Sequence, residues 1–271
     1  MSKAFIVDTT KCQGCRACQV ACKQWNGLPG EKTEFFAGPE YTNPANLSAI
    51  TWNHVKFFPL DRKNPERPIW TIMHKKCYHC TDANCMIVCP EKAISKVDGW
   101  TIIDQSKCIG CGACESECVY GVPRVSDVSH TNDVGVQMVT KDKSHKCNAC
   151  TVNERDVPAC VNTCPSSALL YGDRNAMIDY AKGRVAALKS EFPNVSIYGL
   201  EEFGGLNVIT ILRDKPGKYG LPVGDKAKPV EVTHHEAIKD MYSLFSAGSF
   251  GLPSLKRTAY RMAKSMASRK A

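Results

Sequence analysis

Cys12-Gln-Gly-Cys-Arg-Ala-Cys-Gln-Val-Ala-Cys22 and Cys108-Ile-Gly-Cys-Gly-Ala-Cys-Glu-Ser-Glu-Cys118 share one spacing, three cysteines two residues apart and a fourth after three more. Two looser copies complete the set: Cys77, Cys80, Cys85, Cys89 and Cys147, Cys150, Cys160, Cys164. All 16 cysteines of the 271-residue chain fall in these four groups, at Cys12, Cys15, Cys18, Cys22, Cys77, Cys80, Cys85, Cys89, Cys108, Cys111, Cys114, Cys118, Cys147, Cys150, Cys160 and Cys164. Three thiolates on a tight loop hold three corners of a [4Fe-4S] cubane, so each group reads as a cluster ligand set.

The fourth cysteine of such a run serves a second cluster in bacterial two-cluster ferredoxins, and it is expected to open a helix pointing away from the loop. Proline follows it at Pro90 and Pro165, whereas Lys23 and Val119 stand there in the other groups. A disulfide scaffold fits poorly, because such chains are short and do not group every cysteine in C-x2-C repeats. Structural zinc pairs two dicysteine units, while a triplet crowds three ligands on one side.

The formal net charge of +8 counts every cysteine as neutral. An oxidised cluster with four thiolates carries roughly −2, so four contribute about −8 and bring the loaded protein near neutrality. The basic excess therefore balances anionic clusters and is no nucleic-acid footprint. The length allows one or two domains, and 43% hydrophobic residues is ordinary. The cysteine stretches offer few apolar side chains for a shared core, so the iron-free chain is expected to be largely unfolded.

No apolar run is long enough to span a bilayer. Met1-Ser-Lys-Ala-Phe-Ile-Val-Asp8 is neither a signal peptide nor a twin-arginine leader. Work outside the cytoplasm would require export in the folded state on a signal-bearing partner.

Ala4–Val7, Pro68–Met73, Trp100–Ile103 and Val136–Val139 read as strands, one before each group. Asp98-Gly99 predicts a hairpin between 93–97 and 100–103. Strand, cysteine loop and short helix thus recur four times, and two units make one lobe. The fold class is α+β, with two nested bacterial 2[4Fe-4S] ferredoxin-like lobes, an insertion and a C-terminal helical extension. Only 90–107 separates the second and third groups, which places them in an inner lobe over 74–139. The first and fourth then pair across it, in an outer lobe of 1–30 plus 140–175. The predicted sets are Cys12, Cys15, Cys18 with Cys164; Cys22 with Cys147, Cys150, Cys160; Cys77, Cys80, Cys85 with Cys118; and Cys89 with Cys108, Cys111, Cys114.

The nested pattern over about residues 4–175 resembles the four-cluster iron-sulfur subunits of bis-molybdopterin oxidoreductases. Lys11 to Asn26, the following Gly-Leu-Pro and Pro158-Ala-Cys-Val-Asn-Thr-Cys-Pro165 resemble the formate dehydrogenase beta subunit in particular. The cysteine pattern alone is shared with nitrate, polysulfide and sulfoxide reductases. The resemblance implies a non-catalytic relay of four [4Fe-4S] clusters. It would serve a molybdenum or tungsten catalytic subunit that interconverts formate and carbon dioxide in anaerobic respiration, with a cytochrome or other redox acceptor beyond. It also implies a periplasmic location reached with the signal-bearing catalytic subunit, with a cytoplasmic complex as the alternative. No G-x-G-x-x-G, P-loop or H-E-x-x-H offers a separate active site. The same relay in another molybdopterin enzyme or a hydrogenase, and a free polyferredoxin carrier, are the competing readings.

Lys75, Lys76, His79, His145 and Lys146 flank the second and fourth groups, where a cation would raise a cluster potential. Solvated surface positions are the plainer expectation for them, and Trp25 reads as a packing residue. The insertion over 31–73, with Phe35, Phe36, Tyr41, Trp52, Phe57 and Phe58, is too long for a plain connection and is expected to contact the catalytic partner. Past the clusters, 168–171 and 207–212 read as strands and 175–191 as an amphipathic helix, within an extension over 176–271. The basic stretch 253–271, with Leu255, Ala259, Met262 and Met266 on one face and Lys256, Arg257, Arg261 and Lys264 around it, would dock on a partner or lie on an anionic membrane surface.

Overall fold

The computed structural model describes residues 2–33, 42–59, 70–133, 135–151 and 156–230. Phe35, Phe36, Tyr41, Pro68 and the basic stretch 253–271 lie outside the described residues.

Strand β1 (Lys3–Asp8) is the axis of the molecule. It alternates with period 2 and buries both faces. Phe5 and Val7 enter a large aromatic core, while Ala4 and Ile6 pack beneath a helix. After the first cysteine loop, α1 (Ala17–Trp25) leads on to β2 (His54–Pro59), which pairs antiparallel with β3 (Trp70–Lys75). The insertion thus contributes a hairpin strand to the fold. Helix α2 (Asn84–Ile87) precedes β4 (Ile94–Val97) and β5 (Trp100–Ile103), joined through Asp98 and Gly99, both at positive φ as a tight two-residue hairpin demands. Helix α3 (Ala113–Glu117) is followed by the short strands β6 (Arg124–Val125), β7 (His130–Thr131), β8 (Gln137–Val139) and β9 (Ser144–His145), paired β6 with β9 and β7 with β8. Helix α4 (Ala159–Asn162) carries Cys160.

Strand β10 (Leu169–Asp173) then runs antiparallel to β1. Asp173 caps α5 (Arg174–Leu188), its carboxylate accepting from the N–H groups of Asn175 and Ala176. Met177, Ile178, Ala181, Val185 and Leu188, spaced at helical period, cover the outer face of the sheet. Strands β11 (Ser196–Tyr198) and β12 (Val208–Leu212) complete it in the order β10-β1-β12-β11, with β12 parallel to β1. The expected helical extension is corrected in one respect: within 176–230 the predicted helix (α5) and the predicted strand 207–212 are present, but that strand and a further one join the sheet of β1. Buried apolar surface rewards that placement, since Val208, Ile209, Ile211 and Leu212 are buried on both faces.

A second correction concerns the core. The cysteine loops surround a dense cluster that includes Phe5, Trp52, Tyr78, Trp100, Tyr120, Tyr198 and Phe203. Trp100 stacks on Tyr171 and meets Phe5 edge-on, and Tyr78 lies 4.2 Å from Tyr120. The buried hydroxyls are satisfied, Tyr120 bonding Tyr198 at 2.9 Å and Tyr198 donating to the Pro222 carbonyl. Among the described residues no helix is long and apolar enough to cross a membrane.

Candidate iron-sulfur sites

Each C-x-x-C loop turns on the residue before its second cysteine. Gly14, His79, Gly110 and Ala149 all have positive φ, between 48° and 68°. Two of the four loops therefore achieve with a side chain what glycine does without strain. They are held by hydrogen bonds to sulfur: the His79 N–H donates to Cys77 Sγ and the Ala149 N–H to Cys147 Sγ, both at 3.4 Å. Gly110 has no such latitude, because a Cβ there would sit 1.7 Å from the Asp142 carbonyl oxygen.

The expectation that the fourth cysteine opens a helix is corrected. The third cysteine of each group lies in α1, α2, α3 or α4, and the fourth follows one turn later. Each helical turn carries the chain from one cavity to the next.

Cys12, Cys15, Cys18 and Cys164 line one cavity of about 380 Å³, here cage A. Cys22, Cys147, Cys150 and Cys160 line cage B, about 310 Å³. In cage C, Cys77, Cys80, Cys85 and Cys118 press electrostatically on one another. Cage D, about 350 Å³, holds Cys89, Cys108, Cys111 and Cys114. The structure thus brings together the same foursomes that the spacing predicts. None of the 16 cysteines is joined in a disulfide. Among the described residues no three His, Cys, Asp or Glu side chains are placed to hold a single metal ion. Four thiols converging on one site suit a cluster.

Adjacent cages feel each other. Cys160 of cage B bears on Cys18 of cage A, Cys77 of cage C on Cys147 of cage B, and Cys85 of cage C on Cys114 of cage D. The cages therefore follow one another in the order A, B, C, D. Burial pushes the thiols of Cys18, Cys85 and Cys147 up to about 12, with neighbouring sulfurs adding to it. Lys76 opposes this at Cys147, and Lys146 and Lys96 at Cys85.

The cations expected at the surface are mostly inside. Lys76, His79, His145 and Lys146 are buried, and Lys75 is half-buried. His79 accepts the Thr101 N–H at 3.2 Å on Nδ1, while burial and the charges of Lys146, Lys76 and Lys96 hold it well below the usual histidine range. His145 stacks on Trp52 and bonds Thr140. Trp25, expected to pack, is 38% exposed.

Sequence reasoning missed several groups that touch the cages. Ser144 donates its N–H to Cys108 Sγ at 3.3 Å and sets its hydroxyl 3.2 Å from Cys114 Sγ. Lys96 donates to the Cys80 carbonyl and, at 2.9 Å, to Thr101 Oγ1. Asn26 Nδ2 reaches Cys22 Sγ at 3.7 Å. Lys96 lies in the predicted hairpin strand 93–97, and nothing in the spacing distinguishes it, Ser144 or Asn26.

Two stretches, residues 11–93 and 68–174, match the 4Fe-4S dicluster domain family, which defines the class as ferredoxin-type iron-sulfur proteins. The chain is 34% identical to the formate dehydrogenase iron-sulfur subunit of Haemophilus influenzae, over 81% of this chain and 68% of that one. It is 33% identical to the nitrate-inducible formate dehydrogenase iron-sulfur subunit of Escherichia coli K12, over 82% and 73%. Formate dehydrogenase 2 subunit beta (cytochrome c-553) of Nitratidesulfovibrio vulgaris is 29% identical over 81% of this chain and 97% of its own length. The chain belongs to the family of formate dehydrogenase iron-sulfur subunits.

Proposed function

We propose that this chain is the electron-transfer subunit of a formate dehydrogenase, holding four [4Fe-4S] clusters, one in each of cages A to D. The observation that carries the reading is the crossing of the cysteine groups. Cys164 closes the cage of the first group and Cys22 that of the fourth; Cys118 closes the cage of the second group and Cys89 that of the third. Bound there, the clusters would supply one-electron transfer. The side chains hold thiolates at fixed corners, aim N–H groups at sulfur and exclude water with the aromatic core.

The crossing supports two nested lobes, an inner one around cages C and D and an outer one around cages A and B. It tethers the two ends of the chain's cysteine-bearing part. Cys15 is exposed in cage A, and α1, which follows it in the chain, leaves Val20 63% and Trp25 38% exposed. This end is suited to exchange with a redox partner. The partners inferred are a molybdenum or tungsten bis-molybdopterin catalytic subunit and a cytochrome-type or other acceptor, the complex being exported as a folded unit to the periplasm.

A hydrogenase complex is the second reading, favoured by 30% identity over 200 residues to the Hydrogenase-2 operon protein HybA of Escherichia coli O157:H7. The test is viologen reduction by the complex that co-purifies with this chain under anaerobic conditions. Formate-dependent reduction, lost when the large subunit is stripped away, is the expected result. A cluster-replete complex that ignores formate but responds to hydrogen would overturn it.

A further inference from the structure

A lysine directly precedes the first cysteine of every group: Lys11, Lys76, Lys107 and Lys146. The same position meets different surroundings. Lys107 is exposed beside Asp104 at 3.4 Å, and Lys11 reaches the Tyr180 hydroxyl on α5 at 3.1 Å. Lys76 and Lys146 are instead only 1% and 5% exposed. Neither stands in an ion pair among the described residues. A buried ammonium without a counter-charge is costly, so these two positions call for anions within reach.

Each lysine reaches across the junction of the lobes. Lys76 precedes Cys77 of cage C, yet it lines cage B, where its Nζ lies 3.9 Å from Cys160 Sγ and 3.0 Å from the centre of the Phe5 ring. Lys146 precedes Cys147 of cage B and donates to its carbonyl at 3.2 Å, and it also donates to the Thr101 carbonyl. Thr101 belongs to the wall of cage C, its hydroxyl 3.4 Å from the Cys80 carbonyl oxygen. Cage B has all four cysteines buried, so water screens little there.

Resting on the four-cage reading above, we propose that Lys76 and Lys146 are positioning residues of the relay. Lys76 raises the reduction potential of the cluster in cage B and Lys146 that of the cluster in cage C, so that electrons collect in the middle of the chain. The cause is elementary: reduction adds one negative charge to an already anionic cluster, and a fixed neighbouring cation favours the reduced form. One electron enters the cluster, and the lysine forms and breaks no covalent bond. Lys76 touches a ligand sulfur and Lys146 acts from beyond a backbone carbonyl, which ranks their effects.

The experiment is a redox titration of the whole complex, followed by electron paramagnetic resonance, with Lys76→Met or Lys146→Met and with iron counted per chain. Lys76→Met is expected to cost one signal at least tenfold in its reduction equilibrium, a downward shift of about 59 mV for a one-electron couple. Lys146→Met should move a different signal downward by less, and Lys76→Arg should keep the unaltered midpoint. Unmoved midpoints in cluster-replete methionine variants would overturn the proposal. Should a variant lose iron, pulsed resonance on the reduced, unaltered complex grown with isotope-labelled lysine decides. Lysine nitrogen coupled to a cluster supports the proposal, and its absence overturns it. Fewer than four clusters in the unaltered chain would strike at the four-cage reading instead.

Discussion

The sheet of β10, β1, β12 and β11 under α5 and the four cysteine cages share strand β1 but are held together by different physics. Beneath α5 the core is Ala4, Ile6, Ala181, Leu188, Val195, Ile209 and Ile211, without a cysteine among its buried members. Apolar burial at about 25 cal/mol per Å² suffices there. Around the cages the backbone runs through positive-φ turns and helices of one or two turns, and thiols stand facing cavities. Those loops are expected to need iron in addition to the aromatic core they surround, whereas the face of the sheet under α5 is not. One chain is therefore expected to combine a face that folds by hydrophobic burial alone with a redox region in which ligation adds to an aromatic core.

Removing iron should break the two regions apart most visibly. Far-ultraviolet circular dichroism is expected to lose most of its native signal, while hydrogen exchange retains protection in β1, β12 and α5. A native-like spectrum in the iron-free chain would contradict the division. Next in size is Gly110→Ala, where the new Cβ meets the Asp142 carbonyl oxygen at 1.7 Å at a φ of +66°. Iron analysis should show cage D empty and the other three loaded; full loading would mean that the loop yields.

Acid should act on the cages alone. Burial holds Cys18, Cys85 and Cys147 as thiols with values up to about 12, above the ordinary 9.0, so loading at neutral pH must release their protons. Protons then compete with iron, and cluster retention against a chelator should fall as pH falls. Charge-transfer absorbance measured across pH would show this, and a flat profile would contradict it. The smallest effect belongs to the sheet. Arg184 pairs with the buried Asp8 carboxylate at 3.0 Å while itself part-exposed, so Arg184→Ala should lower stability by only about 1–2 kcal/mol. Denaturant melts should register that loss with cluster content unchanged.

Sequence was most readable where chemistry fixes spacing. The cysteine groups and the Asp98-Gly99 hairpin depend on local geometry, and strands 4–7, 100–103 and 207–212 declare themselves as short apolar runs. The helix 175–191 was also legible, ending three residues earlier at Leu188. Placement of 196–212 against β1 was not, because a parallel pairing between residues some two hundred positions apart leaves no periodic trace. Nor was the burial of Lys76 and Lys146. Their charge argues for solvent, and an interior position needs anions within reach that no reading of the local sequence supplies. The helix was misplaced by a turn, since it carries the third cysteine and the fourth follows inside it at Cys22 or at or just past its end at Cys89, Cys118 and Cys164.

Loss of a single cysteine tests the crossed cages most directly, by comparing the electron paramagnetic resonance of the reduced complex carrying Cys22→Ser with those carrying Cys150→Ser and Cys15→Ser. The same signal should be altered by Cys22→Ser and Cys150→Ser, with a different one altered by Cys15→Ser. If Cys22→Ser instead alters the signal that Cys15→Ser does, each group closes its own cluster and the nested arrangement is wrong.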